Sequence, residues 1–467
     1  MTDMLPDNVL LEIFDFYRHN NSSKGPIFPY ETWRWDTLTQ VCRRWRHIIF
    51  ESPRRLDLRL ICSHTTPMKR LLDIWPPFPI TVACILSRMQ ADGKGVENVI
   101  AAIEHRNRIS ETYIFSIHSP TLEKLIPVMD EPLPILTYFF LGSNEESVPV
   151  LPNTFLGGSA PCLRRFVLKG ISFPTFSKFV LFASCIDTLG LVDIPHSGYI
   201  SPEEMATSLA ALPNLQYLSF GFRSPLSRPL ESPPPPTCAV LPNLIYLSFA
   251  GVSEYLEDFL ARIHTPPLKK LVVAFFRDLI FDIPRLHDFA HHIERSQPFN
   301  QASIKFSGQA IRVIHGSQDQ FDLEIRCERP DWQLSSMAQV LSQQLPLLSH
   351  MEQLELSEDP RDTGWKDDSD MNSSLWLELF HPFIAVQSLY VSKILVPPVT
   401  ATLKELTGGT AMEVLPALRN LFFEGLEPVG LMQEDMKPFV ARRQESGHPV
   451  VLQPWKRWLA CRLQFGL

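Results

Sequence analysis

Long apolar runs are missing from this chain: nowhere does it reach the ~18–20 consecutive apolar residues that span a bilayer. Its opening, MTDMLPDNVL, has no basic stretch leading into an apolar one. Together these absences predict a soluble intracellular protein, cytoplasmic or nuclear, without a membrane partner. Paired cysteines are missing too. Cys42, Cys62, Cys84, Cys162, Cys185, Cys238, Cys327 and Cys461 are isolated from one another, which removes C-x2-C metal knuckles and redox pairs and leaves free thiols of a reducing compartment. Positive charge is in short supply: 43 Lys and Arg stand against 51 Asp and Glu, for a formal charge of −8. A phosphate-binding protein shows the opposite sign. The short cluster Arg43, Arg44 and Arg46 reads as a solvated helix face, so no nucleic acid partner is expected.

Catalytic signatures are absent as well. The chain has no G-x-S-x-G, H-E-x-x-H, G-x4-G-K-[ST] or G-x-G-x-x-G. LGGSAP at 156–161 is not followed by Lys-Ser/Thr and reads as a loop. His291 and His292, with Glu294 nearby, sit adjacent on a helix, about 100° apart, and so are badly placed to share an ion. Asp367, Asp368 and Asp370 lie in a polar loop. No enzyme, cofactor or metal is expected.

What the 467 residues do contain is apolar surface, 45% of the chain, enough for the cores of two or three domains. A phrase recurs in it, apolar at i, i+3 and i+5. It appears as Leu163-Phe166-Leu168, Ile186-Leu189-Leu191, Leu215-Leu218-Phe220, Leu244-Leu247-Phe249 and Leu268-Leu271-Val273. It returns as Met351-Leu354-Leu356, Val386-Leu389-Val391 and Leu418-Leu421-Phe423, with Leu136-Phe139-Leu141 as an earlier copy. One short strand per copy at this spacing is the mark of a leucine-rich stack. Gly170, Gly251 and Gly425 follow three copies and suit a turn with positive φ. The ladder asparagine of regular repeats is absent, and the phrase lapses from Leu271 to Met351. There SIKF, IRVI and FDLEIRCE alternate as strands, read as a hairpin inserted between repeats; a mixed α/β domain is the alternative to a repeat body.

Between copies lie helical stretches: SPEEMATSLAAL, capped by Ser201 with Pro202 in its first turn; SEYLEDFLARI, with Leu256, Phe259, Leu260 and Ile263 on one face; and SLWLELFHPF. Earlier, Ile80, Val82 and Cys84 alternate as a buried strand, and Val96, Val99, Ile100 and Ile103 repeat at helical spacing. Residues 223–242 form a proline-rich loop, a spacer or a docking segment for an SH3- or WW-type groove. MKPFVARRQESGHPVVLQPWKRW predicts a final helix and strand.

The amino-terminal stretch is read as two amphipathic helices. Leu10, Ile13, Phe14 and Tyr17 share one face, widened by Val9 and Phe16, with Pro6 and Asp7 opening the helix. Leu38, Val41, Cys42, Trp45 and Ile49 form the stripe of the second, in which Cys42 is taken as a small core residue. This much aliphatic and aromatic surface exceeds what about fifty residues bury internally, so a partner is implied.

LPDNVLLEIF and VCRRWRHIIFESPRRL, with Trp45 at the family's tryptophan position, resemble an F-box, here with a loop inserted from His19 to Glu31. WPPFPI, LGSNEESVPVLPNTFLGGSAPCLRR and IPHSGYIS resemble the fungal F-box proteins with a degenerate leucine-rich-repeat body. The resemblance implies a fold of class α/β: an all-α F-box at 1–60, a linking β–α segment at 61–108, an irregular leucine-rich-repeat-like α/β solenoid at 109–430, and a cap at 431–467. It further implies a non-catalytic substrate-recognition subunit of a Skp–cullin–F-box ubiquitin ligase. A Skp-family adaptor, and through it a cullin, would be held by Leu5, Pro6, Val9, Leu10, Ile13, Phe14, Val41 and Trp45. The alternatives are a Skp-bound or repeat-based scaffold outside a ligase, and a hydrolase with an F-box-like start. Alternation along the repeat strands places Arg165, Lys169, Tyr217, Tyr246, Lys270, Tyr390 and Glu424 opposite the leucines, as the expected contacts to a protein target. The other choice is that the insert after Val273 covers these strands and loops do the binding.

Overall fold

The computed structural model describes residues 5–19, 35–52, 58–63, 68–85, 94–146, 148–224, 238–276, 282–296, 300–316, 320–327, 329–342, 348, 350–359, 364–365, 373–406, 413–425 and 430–455. The chain divides into two compact units, Met1–Ile186 and Asp187–Leu467.

In the first unit three helices come first: α1 (Asp7–His19), α2 (Trp35–Val41) and α3 (Arg43–Phe50). The single second helix expected from the apolar stripe is two. Cys42 interrupts it in an extended conformation, and its Sγ accepts the Trp45 N–H at the start of α3. The break turns Cys42 and Val41 to solvent rather than into a core. The loop inserted after His19, and Asn21 onward to Glu31 with it, lies outside the described residues.

A parallel sheet follows: β1 (Leu58–Cys62), β2 (Ile80–Ile85), β3 (Ile109–Phe115), β4 (Tyr138–Gly142) and β5 (Arg165–Lys169), each paired with the next. Helices α4 (Met68–Ile74), α5 (Lys94–Ile103), α6 (Ser119–Met129) and α7 (Phe176–Phe179) connect or follow the strands. Parallel strands need such crossovers, and the helices cover one sheet face. The other face is left to the alternate residues. Ile80, Val82, Cys84 and Val99 are buried as their spacing predicts.

The second unit opens with β6 (Thr188–Ile194), β7 (Tyr217–Phe222), β9 (Tyr246–Gly251) and β11 (Lys270–Phe276), parallel neighbours in that order. The short β8 (Ala239–Val240) and β10 (Ile263–His264) pair with each other. Helices α8 (Pro202–Ala210), α9 (Ser253–Leu260) and α10 (Pro284–Ser296) alternate with the strands. Ser201 caps α8, accepting the Glu204 N–H at 3.1 Å. Ile263, expected on the α9 face, is in β10.

After α10 the regularity ends. β12 (Gln301–Phe306), β13 (Ala310–His315) and β14 (Phe321–Arg326) form a meander in which β13 runs antiparallel to both of its neighbours. They do not form a hairpin set apart from the repeats. β14 pairs with β11 and β12 with β15 (Gln353–Glu358), so the meander fills the sheet in reversed order and does not cover its face. Helix α11 (Pro330–Ser342) backs it, and buried Gln333 holds the turns through the carbonyls of Ser307 and Cys327. β16 (Ser388–Val391), β17 (Asn420–Glu424) and β18 (Val451–Trp455) resume the parallel order. They are joined by α12 (Ser373–Phe380), α13 (Val396–Glu405) and α14 (Gly430–Glu445), and the last helix and strand are those the sequence predicts.

Every residue of the nine i, i+3, i+5 triples is buried, none more than 3% exposed. At roughly 1.5–3 kcal/mol for each fully buried large apolar side chain, these triples contribute to the burial that offsets chain entropy. The missing asparagine ladder is replaced by backbone. Gln216 N–H bonds the Asp187 carbonyl at 2.8 Å, Ile245 bonds Gln216 at 3.0 Å and Lys269 bonds Ile245 at 2.8 Å, one link per strand entry. The links Gln387–Glu352, Arg419–Gln387 and Val451–Arg419 repeat the pattern. Gly170 and Gly425 take positive φ as expected, whereas Gly251 does not; a Cβ at Gly251 would lie 2.5 Å from the Phe249 ring, so it is kept small by packing. Each unit is therefore an irregular leucine-rich-repeat-like α/β stack, and the first begins with an all-α segment.

Candidate functional site

The amino-terminal helices build a small core and a separate surface. Leu10, Phe14, Ile48 and Ile49 are buried together, with Leu5, Leu11, Leu38, Trp45 and Phe50 packed around them. The Phe14 and Trp45 rings are 4.8 Å apart. Arg44 ties the first helix to the third, donating to Asp7 Oδ1 at 2.6 Å and to the Leu5 carbonyl at 2.5 Å. Of the eight expected adaptor residues, Leu10 and Phe14 therefore face inward, and Leu5 and Trp45 are half-buried, so the first two offer no surface to a partner. Pro6, Val9, Ile13 and Val41 are exposed, and Phe16 joins them at 69% exposure. Pairing of the buried set with α3 was hidden from the sequence because Leu10, Ile13 and Phe14 share one helical stripe.

The expected target residues all occupy outward positions on their strands. Arg165 and Lys169 lie on β5 in the first unit. In the second unit Tyr217, Tyr246 and Lys270 come together, in direct register across β7, β9 and β11. Beyond them the outward side chains shrink to Ser219, Gly221, Ser248, Ala250 and Ala274, leaving a groove of about 190 Å3. A Cβ on Gly221 would come within 2.6 Å of Ala250, so only glycine fits there. Arg312, Asp322, Glu324 and Arg326 of the meander line one side of the groove. Arg312 donates to both carboxylate oxygens of Asp322, which is 2% exposed, and the bond from its Nε is 2.5 Å. That carboxylate raises the guanidinium pKa against the opposing effect of burial. Tyr390 stacks on Phe422 at 4.4 Å beside Trp455. Glu424 is occupied as a staple, accepting the Lys393 N–H at 3.2 Å.

The first unit's outward face carries residues that the sequence phrase did not flag. Tyr113 stacks on Tyr138 with ring centroids 4.4 Å apart, and Phe115 lies 4.4 Å from Phe140. Glu111 accepts the Tyr113 hydroxyl at 3.1 Å. Burial pushes the Tyr113 and Tyr138 hydroxyl pKa values up, while Arg59 opposes this at Tyr113 and Arg165 at Tyr138. The strand reads Ile109-Thr112-Ile114, the repeat phrase with threonine at its centre, which is why apolar spacing alone passed over it. Thr112 is 1% exposed.

Among the described residues no group of three or more His, Cys, Asp or Glu could hold a metal, and no helix is long and apolar enough to cross a membrane. LGGSAP begins in a tight turn with Leu156, Gly157 and Gly158 at positive φ. His292 Nδ1 meets the Asp288 carbonyl at 2.6 Å within its own helix. Most of the proline-rich loop, residues 225–237, lies outside the described residues, as do Asp367, Asp368 and Asp370.

No family model matches the chain, and no curated protein matches it. Among solved structures, the leucine-rich repeat-containing protein LegL7 from Legionella pneumophila matches at 13% identity with a TM-score of 0.27, over 72% of this chain and 98% of that one. A likeness at that score carries no argument, so the repeat assignment rests on the strands, registers and buried triples above.

Proposed function

We propose that this chain is a non-catalytic adaptor: an F-box-type subunit whose amino-terminal helices dock on a Skp-family protein while its repeat strands hold a protein target. The observation that carries the proposal is the split in the amino-terminal helices. Leu10, Phe14, Ile48 and Ile49 suffice for a core, and Val9, Ile13, Phe16 and Val41 remain as apolar surface on a segment too small to need them for itself. Neighbouring outward rows of tyrosine and charge, Tyr217, Tyr246 and Lys270, are the chemistry that protein interfaces favour. Ubiquitin transfer would need no residue of this chain; a bound target gains effective concentration near the charged carrier.

Co-purification tests the reading. Skp together with a cullin, both lost on Ile13→Glu with Phe16→Glu, supports a ligase receptor. Skp alone supports the scaffold reading, and neither protein overturns both. Target capture that survives Tyr217→Ala, Tyr246→Ala and Tyr390→Ala together, yet is lost on trimming residues 225–237, moves recognition from the sheet to the loop.

A further inference from the structure

The outward sheet face of the first unit differs in kind from that of the second. Its strand positions bring Ile61, Ala83, Tyr113, Phe140 and Val167 into one row across five strands, half-buried or exposed. The neighbouring row holds Arg59, Thr81, Glu111, Tyr138 and Arg165, and Lys169 stands beyond. Outward charges on these strands are therefore Arg59, Arg165 and Lys169 against Glu111, three minus one, or +2, on a chain whose formal charge is −8. A contiguous apolar and aromatic row rimmed by charge of the sign opposite to the chain's own is the composition of a recognition surface.

We propose that this face docks an extended acidic segment of a partner protein, with aromatic or aliphatic side chains on the Tyr113–Phe140 row and carboxylates toward Arg165 and Lys169. Charge complementarity selects the sign. The ring geometry selects peptide over single-stranded nucleic acid. Bases need an aromatic face to stack on, and here Tyr113 and Tyr138 already turn their faces to each other at 4.4 Å and 22°. One face of each ring is thereby covered, and the Tyr113 hydroxyl is already bonded to Glu111. The proposal rests on the target-binding half of the reading above, in which Arg165 and Lys169 are contacts, and holds whether or not the amino-terminal helices bind a Skp-family protein.

Panning a displayed library of linear dodecapeptides against the immobilised full-length chain tests it. Enriched peptides should carry Asp or Glu beside aromatic or aliphatic residues. A fluorescein-labelled member of that set should bind with an affinity that falls as salt rises, and Arg165→Glu should weaken it about tenfold or more. Arg165 is exposed, so that variant should melt as the parent does; Lys169→Glu is the second arm. Enrichment of basic or uncharged peptides, no enrichment, equal binding by both charge-reversed variants, or tighter binding of labelled oligothymidylate would each overturn it.

Discussion

Phe14 on the first helix and Trp45 on the third meet ring to ring at 4.8 Å with a tilt of 59°. The contact closes the core formed by Leu10, Ile48 and Ile49. Trp45→Ala should therefore loosen the amino-terminal helices, at a cost at or below the roughly 3–5 kcal/mol of truncating a buried tryptophan. Limited proteolysis should cut these helices in the variant while the repeat units resist; unchanged protection of residues 5–52 would sink the assignment.

Surface and core residues of the same helix should separate cleanly. Ile13→Glu and Phe16→Glu lie at 45% and 69% exposed positions, and such changes usually move stability by under about 0.5 kcal/mol. Leu10→Ala should instead cost about 2–5 kcal/mol. Thermal melts and adaptor capture measured on all three variants should show binding lost without melting in the first two.

His315 gives the second unit an acid limb. Its ring is fully buried against Phe321, and neither ring nitrogen has a hydrogen-bond partner. Burial pushes the imidazole down to about 3 from its ordinary 6.5. The folded state thus excludes a proton that the unfolded chain accepts. Its contribution is complete above about pH 6.5 and is lost as pH falls from there toward 3, at about 1.4 kcal/mol per pH unit. His315→Phe should flatten urea midpoints between pH 4 and 6.5 relative to the parent; parallel curves would refute the assignment.

The Arg312–Asp322 pair should behave as a buried ion pair. Asp322→Asn strands the guanidinium and should cost on the order of 3–5 kcal/mol, less any relief from nearby Asp359 at 3.9 Å. Replacing both together, Arg312→Met with Asp322→Leu, should recover most of that loss. A double variant as unstable as the single one would show that the pair does more than neutralise itself.

Thiol reactivity should sort by depth. Cys62 and Cys84 face each other's strands in the first core, and burial pushes Cys84 up to about 12 and Cys62 up as well. Cys42, Cys162, Cys185 and Cys238 are exposed. Brief iodoacetamide treatment followed by peptide mass spectrometry should label the four exposed thiols and spare Cys62, Cys84 and the likewise buried Cys327 until the chain is denatured.

Much of this architecture was legible because a parallel strand backed by helices leaves its inward positions no choice but to be apolar. The triples at 163, 215, 244, 351 and 418 state this directly. Thr112 broke the pattern on β3, so the aromatic row beside it went unread. The stripe Leu38–Val41–Trp45 ran on through Cys42 because periodicity does not register a cap; the extended backbone at Cys42 does. The order of β12, β13 and β14 was also beyond reach. Alternation marks a strand, but the neighbour it chooses depends on residues far along the chain. Candidate contacts such as Tyr217 and Lys270 were legible as outward positions, whereas the inward turn of Leu10 and Phe14 needed α3 in place.

The reversed meander also governs how the second unit is assembled as it is synthesised. A simple repeat stack grows by one strand at a time, each docking on the last. Here β11 emerges and must wait for β14, while β12 and β13 emerge first and have only each other to pair with. The parallel order therefore stays open at β11 until residue 326 has been made, and β12 joins the sheet through β13 and β14 before its other edge takes β15. A nascent chain halted within 277–320 would expose β11 to any passing strand, so this span is where an arrested product calls for chaperone cover.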